Sequence, residues 1–214
     1  WMREAGMQAR LDAIGNAAGR YEGDRPGLAC LKLGSHLDTV RDAGRYDGML
    51  GVISAIECVH ALNAQKKRLP FALEVIGFGD EEGVRFGTTM LGSRAVASAF
   101  DPANLRVKDP QGKTLEAALH DFGLDPKRIP EVARKKADLL AYAELHIEQG
   151  PVLEAEGLPV GVVTAINGFS RLRATLSGMA GHAGTVPMRL RRDALAAAAE
   201  GVLVVVSVAA RRPE

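Results

Sequence analysis

Short apolar segments that end in polar residues constrain the fold of this chain most strongly. The segments Leu28–Leu33, Phe71–Phe78 and Leu139–Ile147 are rich in apolar residues, as strands buried on both faces are. Between the first two, Asp47–Ala64 carries apolar residues at helical spacing. This order predicts an α/β fold, a mixed sheet sandwiched by helices, in which ligands gather outside the carboxyl ends of strands.

The pattern changes in the last quarter of the chain. Before it, two further helices are predicted over Met90–Ala99 and Thr114–Phe122. In the last quarter, Phe169–Leu176 alternates polar and apolar residues, as a strand with one solvent-exposed face does. Arg189–Ala210 then reads as a long helix rich in Ala and Val. We therefore predict a metal-binding catalytic domain over residues 1–164 and the incomplete beginning of an α+β module over residues 165–214.

Composition excludes several classes of function. With 47% hydrophobic and 25% charged residues, the 214-residue chain has a globular composition. Its formal charge is +1, from 27 basic and 26 acidic residues, so nucleic acid and acidic lipid are poor candidates as partners. No apolar run approaches bilayer length, and the two cysteines lack CxxC spacing. A cytoplasmic enzyme, without membrane or nucleic-acid partners, fits best.

His36 and Asp47 are the first candidate metal ligands. His36 follows a strand and lies two residues before Asp38, so both side chains point to the same side of an extended segment and Asp38 could hold the imidazole in one tautomer. Asp47 stands where a helix should begin, and its two carboxylate oxygens could bridge two metal ions. The alternative for Asp47 is an ordinary N-cap.

Two adjacent carboxylates follow the second strand. Glu81 and Glu82 lie between Gly79 and Gly83, an unfavourable place for two negative charges unless a cation is present. Glu82 could bind metal while Glu81, as general base, takes a proton from water and passes it to the leaving nitrogen. The alternative is a solvated pair of loop residues.

Two histidines come later in the chain. His146 interrupts an apolar strand and is followed by Glu148 and Gln149, which favours metal ligation over a core histidine. His182 lies in the Gly-rich loop Gly178–Pro187, and a mobile loop could bring it over a substrate as an oxyanion donor.

These residues carry a family resemblance. The motifs GSHLDTV, RYDGMLGV, GFGDEEGVRFG, ELHIEQGPVLEAEGLPVGVVTAI and GMAGHAGTVPM resemble the hydantoinase/carbamoylase branch of the dinuclear-metal aminoacylase and carboxypeptidase superfamily. That branch contains allantoate amidohydrolases, N-carbamoyl-L-amino acid amidohydrolases and β-ureidopropionases. The resemblance covers essentially the whole chain.

The resemblance implies a role for each candidate residue. Two divalent metal ions would be held by His36, Asp47, Glu82 and His146, with Asp47 bridging. Glu81 becomes the general base, and Asp38 supports the metal ligands without binding metal itself. Gln149 becomes a substrate contact, and His182 would stabilise the tetrahedral intermediate, in trans within a homodimer. The second module would be a lid and dimerisation domain.

Members of this branch continue for roughly as long again. That further half supplies a last His ligand and an Arg that holds the substrate carboxylate, so the chain reads as a fragment. The favoured function is metal-dependent cleavage of the ureido C–N bond of allantoate, with release of ammonia and carbon dioxide. The alternatives are an N-carbamoyl-L-amino acid hydrolase or β-ureidopropionase and, more remotely, an inactive dimerisation or binding fragment. Mixed His and carboxylate ligation suits zinc or manganese, with cobalt as a third candidate.

Overall fold

The chain divides into two units, which are described separately. A computed structural model describes residues 1–166, 168 and 170–211. The first unit is Trp1–Pro159 and the second is Val160–Glu214. The sequence-based assignment of catalytic and lid roles, with a boundary at residues 164 and 165, stays a prediction.

The first unit is built on a five-stranded mixed sheet. Its strands are β1 (Gln8–Leu11), β2 (Ala17–Tyr21), β3 (Cys30–His36), β4 (Ala72–Phe78) and β5 (Leu139–Ala143). Their spatial order is β1-β2-β4-β3-β5. Strand β3 is parallel to both β4 and β5, whereas β2 is antiparallel to β1 and β4. The carboxyl ends of three neighbouring strands therefore meet at one edge, and the predicted α/β class is confirmed.

Helices cover both faces of this sheet. The helices of the first unit are α1 (Met49–Ala64), α2 (Leu91–Val96), α3 (Leu115–Asp121) and α4 (Val152–Glu156), with 3₁₀ turns at Pro102–Arg106, Pro126–Val132 and Lys136–Asp138. Leu73 and Val75 of β4 pack in one apolar cluster with α1, and Ile76 and Phe78 pack in another with α2 and α3. All seven residues of β4 are buried, which explains why that strand is almost continuously apolar.

Two features of the sheet differ from the prediction. The β1-β2 hairpin was not predicted, because β1 is largely exposed and β2 carries Gly19 and Arg20, which have a weak preference for strands. The pairing of β2 with β4 stabilises the hairpin in spite of this weak preference. Strand β5 ends at Ala143, three residues before His146, so the prediction that this strand reaches His146 is wrong.

The second unit contains one long helix, α5 (Ala194–Ala209). It begins five residues later than predicted because the Asp193 carboxylate accepts hydrogen bonds from the amides of Leu195 and Ala196 and so caps the helix there. The predicted strand over Phe169–Leu176 is wrong for residues 170–176, which have no regular structure and find no partner strand among the described residues of this unit; Phe169 lies outside the described residues. Within the described ranges, no helix is long and apolar enough to span a bilayer.

Candidate metal centre

His36 ends β3 at the edge where the strands meet. Its side chain is buried, and its Nδ1 lies 2.7 Å from the backbone oxygen of Asp38. Because a carbonyl oxygen can only accept a hydrogen bond, in the neutral ring Nδ1 carries the proton and Nε2 presents a lone pair.

His146 and Asp47 bring two more acceptor atoms to His36. The Nε2 atoms of His36 and His146 are 3.2 Å apart, and Oδ1 of Asp47 lies 3.8 Å from the first and 3.5 Å from the second. Nδ1 of His146 lies 2.9 Å from the backbone oxygen of Ile147, so in the neutral ring the proton lies on Nδ1 and Nε2 again presents a lone pair.

This donor set fits a cation. Two imidazole lone pairs and a carboxylate oxygen face one another within 4.8 Å, an arrangement that is repulsive unless a positive charge lies between them. Each imidazole donates its other N–H to a carbonyl, which is the usual way in which proteins orient metal-binding histidines. The three residues could therefore hold one divalent metal ion.

Gly48 brings Asp47 against His36. Its φ of 80° lies in the left-handed region, and a Cβ there would lie 2.5 Å from two atoms of the His36 ring. Gly48 is also the N-cap of α1, and no side chain caps this helix. The alternative reading of Asp47 as an N-cap is therefore wrong.

Asp38 supports the site through different atoms from those predicted. Its backbone oxygen, not its carboxylate, orients His36. The two carboxylate oxygens accept hydrogen bonds from the amides of Glu81 and Glu82, each at 2.9 Å. The predicted contact between carboxylate and imidazole is wrong, because both oxygens of Asp38 are turned towards the loop after β4. Asp38 thus connects the end of β3 to that loop.

Glu81 and Glu82 form a second candidate ligand group with His36. One ligand atom from each residue lies within 4.8 Å of the others. Burial raises the pKa of Glu81, and the negative charges of Glu82, Asp38 and Glu144 raise it further, against the opposing effect of His36. Such a shift suits a group that must accept a proton and later return it.

Asp80 precedes this pair in a left-handed conformation, with φ of 54°. Its Oδ2 is buried and makes no hydrogen bond within the described part of the chain. Burial, with the nearby charge of Asp38, raises the pKa of Asp80 to about 6.

Gln149 lies beside the metal-ligand group. Its Nε2 donates a hydrogen bond of 3.0 Å to Oδ1 of Asp47. The amide therefore neighbours the atoms that would hold metal, where a substrate contact is geometrically reasonable. That role stays a prediction.

His182 belongs to the second unit. Its Nδ1 accepts a hydrogen bond from the amide of Gly184 at 3.1 Å, so in the neutral ring the proton lies on Nε2. The guanidinium of Arg191 donates to the backbone oxygens of Ala183 and Val186 and holds this loop together. Sequence reasoning did not identify Arg191, because nothing in its local pattern sets it apart from Arg189 and Arg192.

Comparison with known proteins identifies the family. The profile of Peptidase family M20/M25/M40 matches residues 33–211, which is most of the chain. The chain belongs to this peptidase family. Its fold agrees with that membership, and the predicted resemblance is confirmed.

Several proteins similar to this chain carry amidohydrolase, deiminase or amidase names. The chain is 47% identical over 212 residues to an N-carbamoyl-L-amino acid amidohydrolase from Geobacillus stearothermophilus, covering 99% of this chain and 52% of the relative. It is 43% identical over 218 residues to allantoate deiminase 1 from Glycine max, covering 100% of this chain and 45% of that one. A crystal structure of a hydantoinase/carbamoylase family amidase from Burkholderia multivorans superposes with a TM-score of 0.82 at 33% identity, covering 100% of this chain and 51% of that chain. The chain thus spans about half the length of the relatives it matches.

Proposed function

We propose that this protein is a metal-dependent amidohydrolase that cleaves the ureido C–N bond of allantoate, releasing ammonia and carbon dioxide. The observation that supports this most directly is the convergence of His36, Asp47 and His146 beside the carboxylates of Glu81 and Glu82. Relatives named as allantoate deiminase and as N-carbamoyl-L-amino acid amidohydrolase support the substrate class equally. The N-carbamoyl-L-amino acids and β-ureidopropionate are therefore the alternative substrates.

In this proposal two divalent ions, zinc or manganese, with cobalt a third candidate, are held by four side chains. His36, Asp47, Glu82 and His146 would hold the ions, with Asp47 as the bridging ligand. Ions in such sites polarise a carbonyl group and make water more acidic. The chain's own contribution is to favour, through the carbonyls of Asp38 and Ile147, the tautomer of each neutral imidazole in which Nε2 presents a lone pair.

Glu81 would carry the proton. Its raised pKa allows it to take a proton from the attacking water and to deliver it to the leaving nitrogen. Asp38 fixes the backbone of this loop, so that Glu81 and Glu82 keep their separate positions.

His182 and Gln149 would contact the substrate. The tautomer set by the Gly184 amide leaves the Nε2–H of His182 as a donor, which suits stabilisation of a developing oxyanion. We place this histidine over the site of the partner subunit of a homodimer, with residues 165–214 as part of the lid and dimerisation domain. Gln149 would contact the substrate next to Asp47. The small-molecule ureido substrate would be handled in the cytoplasm.

Ammonia release tests the proposal. The purified protein, loaded in turn with Zn²⁺, Mn²⁺ and Co²⁺, is offered allantoate, N-carbamoyl-L-amino acids and β-ureidopropionate under the same conditions, with Glu81→Gln as the inactive control. Preference for allantoate supports the favoured substrate, and preference for a carbamoyl amino acid moves the protein to the alternative. Absence of metal binding and of turnover with every substrate would leave the third candidate, a dimerisation or binding fragment.

A further inference from the structure

We propose that Glu144 is a positioning residue that fixes the separation of His36 and His146 and thereby tunes metal affinity. This inference rests on the proposed metal site. Sequence reasoning gave Glu144 no role, because a lone acidic residue near a strand end has no distinctive pattern.

The backbone ladder stops before it reaches the two histidines. The last paired residues of β3 and β5 are Leu33 and Ala143, yet β3 continues through Ser35 to His36. His146 lies three residues beyond the end of β5, where the pairing that aligns the two strands has ended.

The Glu144 carboxylate joins the two segments at this point. Its Oε1 accepts a hydrogen bond of 2.5 Å from the hydroxyl of Ser35, the residue next to His36. Its Oε2 accepts one of 2.6 Å from the hydroxyl of Tyr142, which also lies 3.2 Å from the backbone oxygen of Gly34. Burial, together with the bond to Glu144, raises the pKa of Tyr142, so the phenol stays a donor. The side chains thus continue the connection where the ladder ends.

Helix α1 packs directly behind this connection. A Cβ on Gly51 would lie 2.3 Å from the backbone oxygen of Leu145 and 2.8 Å from Cβ of Ser35. Glycine therefore permits α1 to contact both segments at once. With one side closed by α1, the contact between Ser35 and Glu144 determines how far His146 stands from His36.

Small displacements matter at such a site. Ligand positions need to be held within about 0.5 Å of the productive geometry. Residues that orient metal ligands typically change metal affinity about 10- to 100-fold when they are replaced. We expect a loss in that range for Glu144→Gln, because the substitution removes the charge and replaces one of the two acceptors with a donor.

Metal titration of the apo protein tests this role. Co²⁺ binding is followed by visible absorbance for the unsubstituted protein, for Glu144→Gln and for the control Glu156→Gln, an identical change at the last residue of α4. The melting temperature of each apo protein is recorded in parallel. The expected result is a Kd raised about 10- to 100-fold for Glu144→Gln and not for Glu156→Gln. The apo melting temperature of Glu144→Gln should also fall, because the Glu144 carboxylate accepts two hydrogen bonds, so every titration is run below the lowest apo melting temperature.

Other outcomes separate this inference from the proposed function. Unchanged Co²⁺ affinity in Glu144→Gln would overturn the positioning role and leave the metal centre intact, whereas no Co²⁺ binding by the unsubstituted protein would overturn both. If Glu144→Gln does not fold, Ser35→Ala and Tyr142→Phe decide the question, since each removes one bond to Glu144. Weakened affinity in both variants supports the role, and unchanged affinity in both overturns it.

Discussion

Replacing Asp38 with asparagine should loosen the loop that carries Glu81 and Glu82. The carboxylate accepts two backbone hydrogen bonds of 2.9 Å. The asparagine amide has a single acceptor oxygen, so one of the two N–H groups would face another donor. His36 should keep its tautomer, because the backbone oxygen that accepts from Nδ1 remains.

The cost follows from these two bonds. A hydrogen bond to a charged group contributes roughly 1.5 to 3 kcal/mol, and a neutral one roughly 0.5 to 1.5 kcal/mol. Asp38→Asn weakens one bond to the neutral range and loses the other. The free energy of unfolding should therefore fall by about 2 to 4 kcal/mol.

Urea unfolding of the metal-free protein at pH 7 measures this change, with Asp42→Asn in the exposed loop that follows as the matched control. Long-range ¹H–¹⁵N NMR spectra report the tautomer of His36 in the same variant. A loss below about 0.5 kcal/mol, the range of ordinary surface substitutions, would refute the reasoning. So would a change of tautomer with no loss of stability, because that result would mean that Asp38 acts through the imidazole after all.

Three further substitutions test the site and the sheet beneath it. Glu81→Gln should keep metal content, measured by elemental analysis, while turnover in the ammonia assay falls about 10²- to 10⁴-fold; loss of metal instead would exchange the base and ligand assignments of Glu81 and Glu82. Glu74→Gln should lower the free energy of unfolding at pH 7 by roughly 3 to 5 kcal/mol, because Glu74 is buried with Lys32 at 2.5 Å and Arg134 at 3.0 Å, whereas Glu131→Gln in an exposed pair should have little effect. Burial alone would raise the pKa of Glu74, but the positive charges of Lys32 and Arg134 outweigh that effect and lower it. The stabilisation is therefore present above the unfolded pKa near 4.5 and is lost as the pH falls through the folded pKa. In urea unfolding, the difference in stability between the variant and the unsubstituted protein should be smaller at acidic pH than at pH 7. Gly48→Ala should destabilise the fold by about 1 to 3 kcal/mol and weaken Co²⁺ binding, because its φ is left-handed and its Cβ would meet the His36 ring; unchanged affinity would contradict that placement.

The sequence predicted those parts of the fold whose signals are local. Strands β3 and β4 and helix α1 were predicted because buried parallel strands are rich in apolar residues and because the apolar residues of α1 recur at helical spacing. The β1-β2 hairpin was missed because its stability comes from pairing with β4, which local composition does not reveal.

The candidate site also contains residues that local sequence patterns indicate and residues that only the folded structure indicates. His36 and His146 were candidates because they are histidines at the ends of predicted strands, and Asp47 was one because it stands at the start of a predicted helix. The structure brings the three together, and their role as metal ligands stays a prediction. The atoms through which Asp38 acts were not predictable, because the residue can turn either its carboxylate or its carbonyl towards His36 and only the loop after β4 decides between them. Glu144 acts on Ser35, which only folding brings to it, so no short motif indicates it. Arg191 bonds to a nearby loop, but nothing in its local pattern distinguishes it from Arg189 and Arg192.

The metal centre joins parts of the chain that are far apart in sequence. His36 and His146 are separated by 110 positions, and Asp47 and Glu82 lie between them. An ion bound to these residues would act as a cross-link that closes long loops and is absent from the unfolded chain. At a free metal concentration of about 100 times Kd, such binding adds roughly 2.7 kcal/mol to stability. The thermal stability of this domain should therefore report how much metal its surroundings contain.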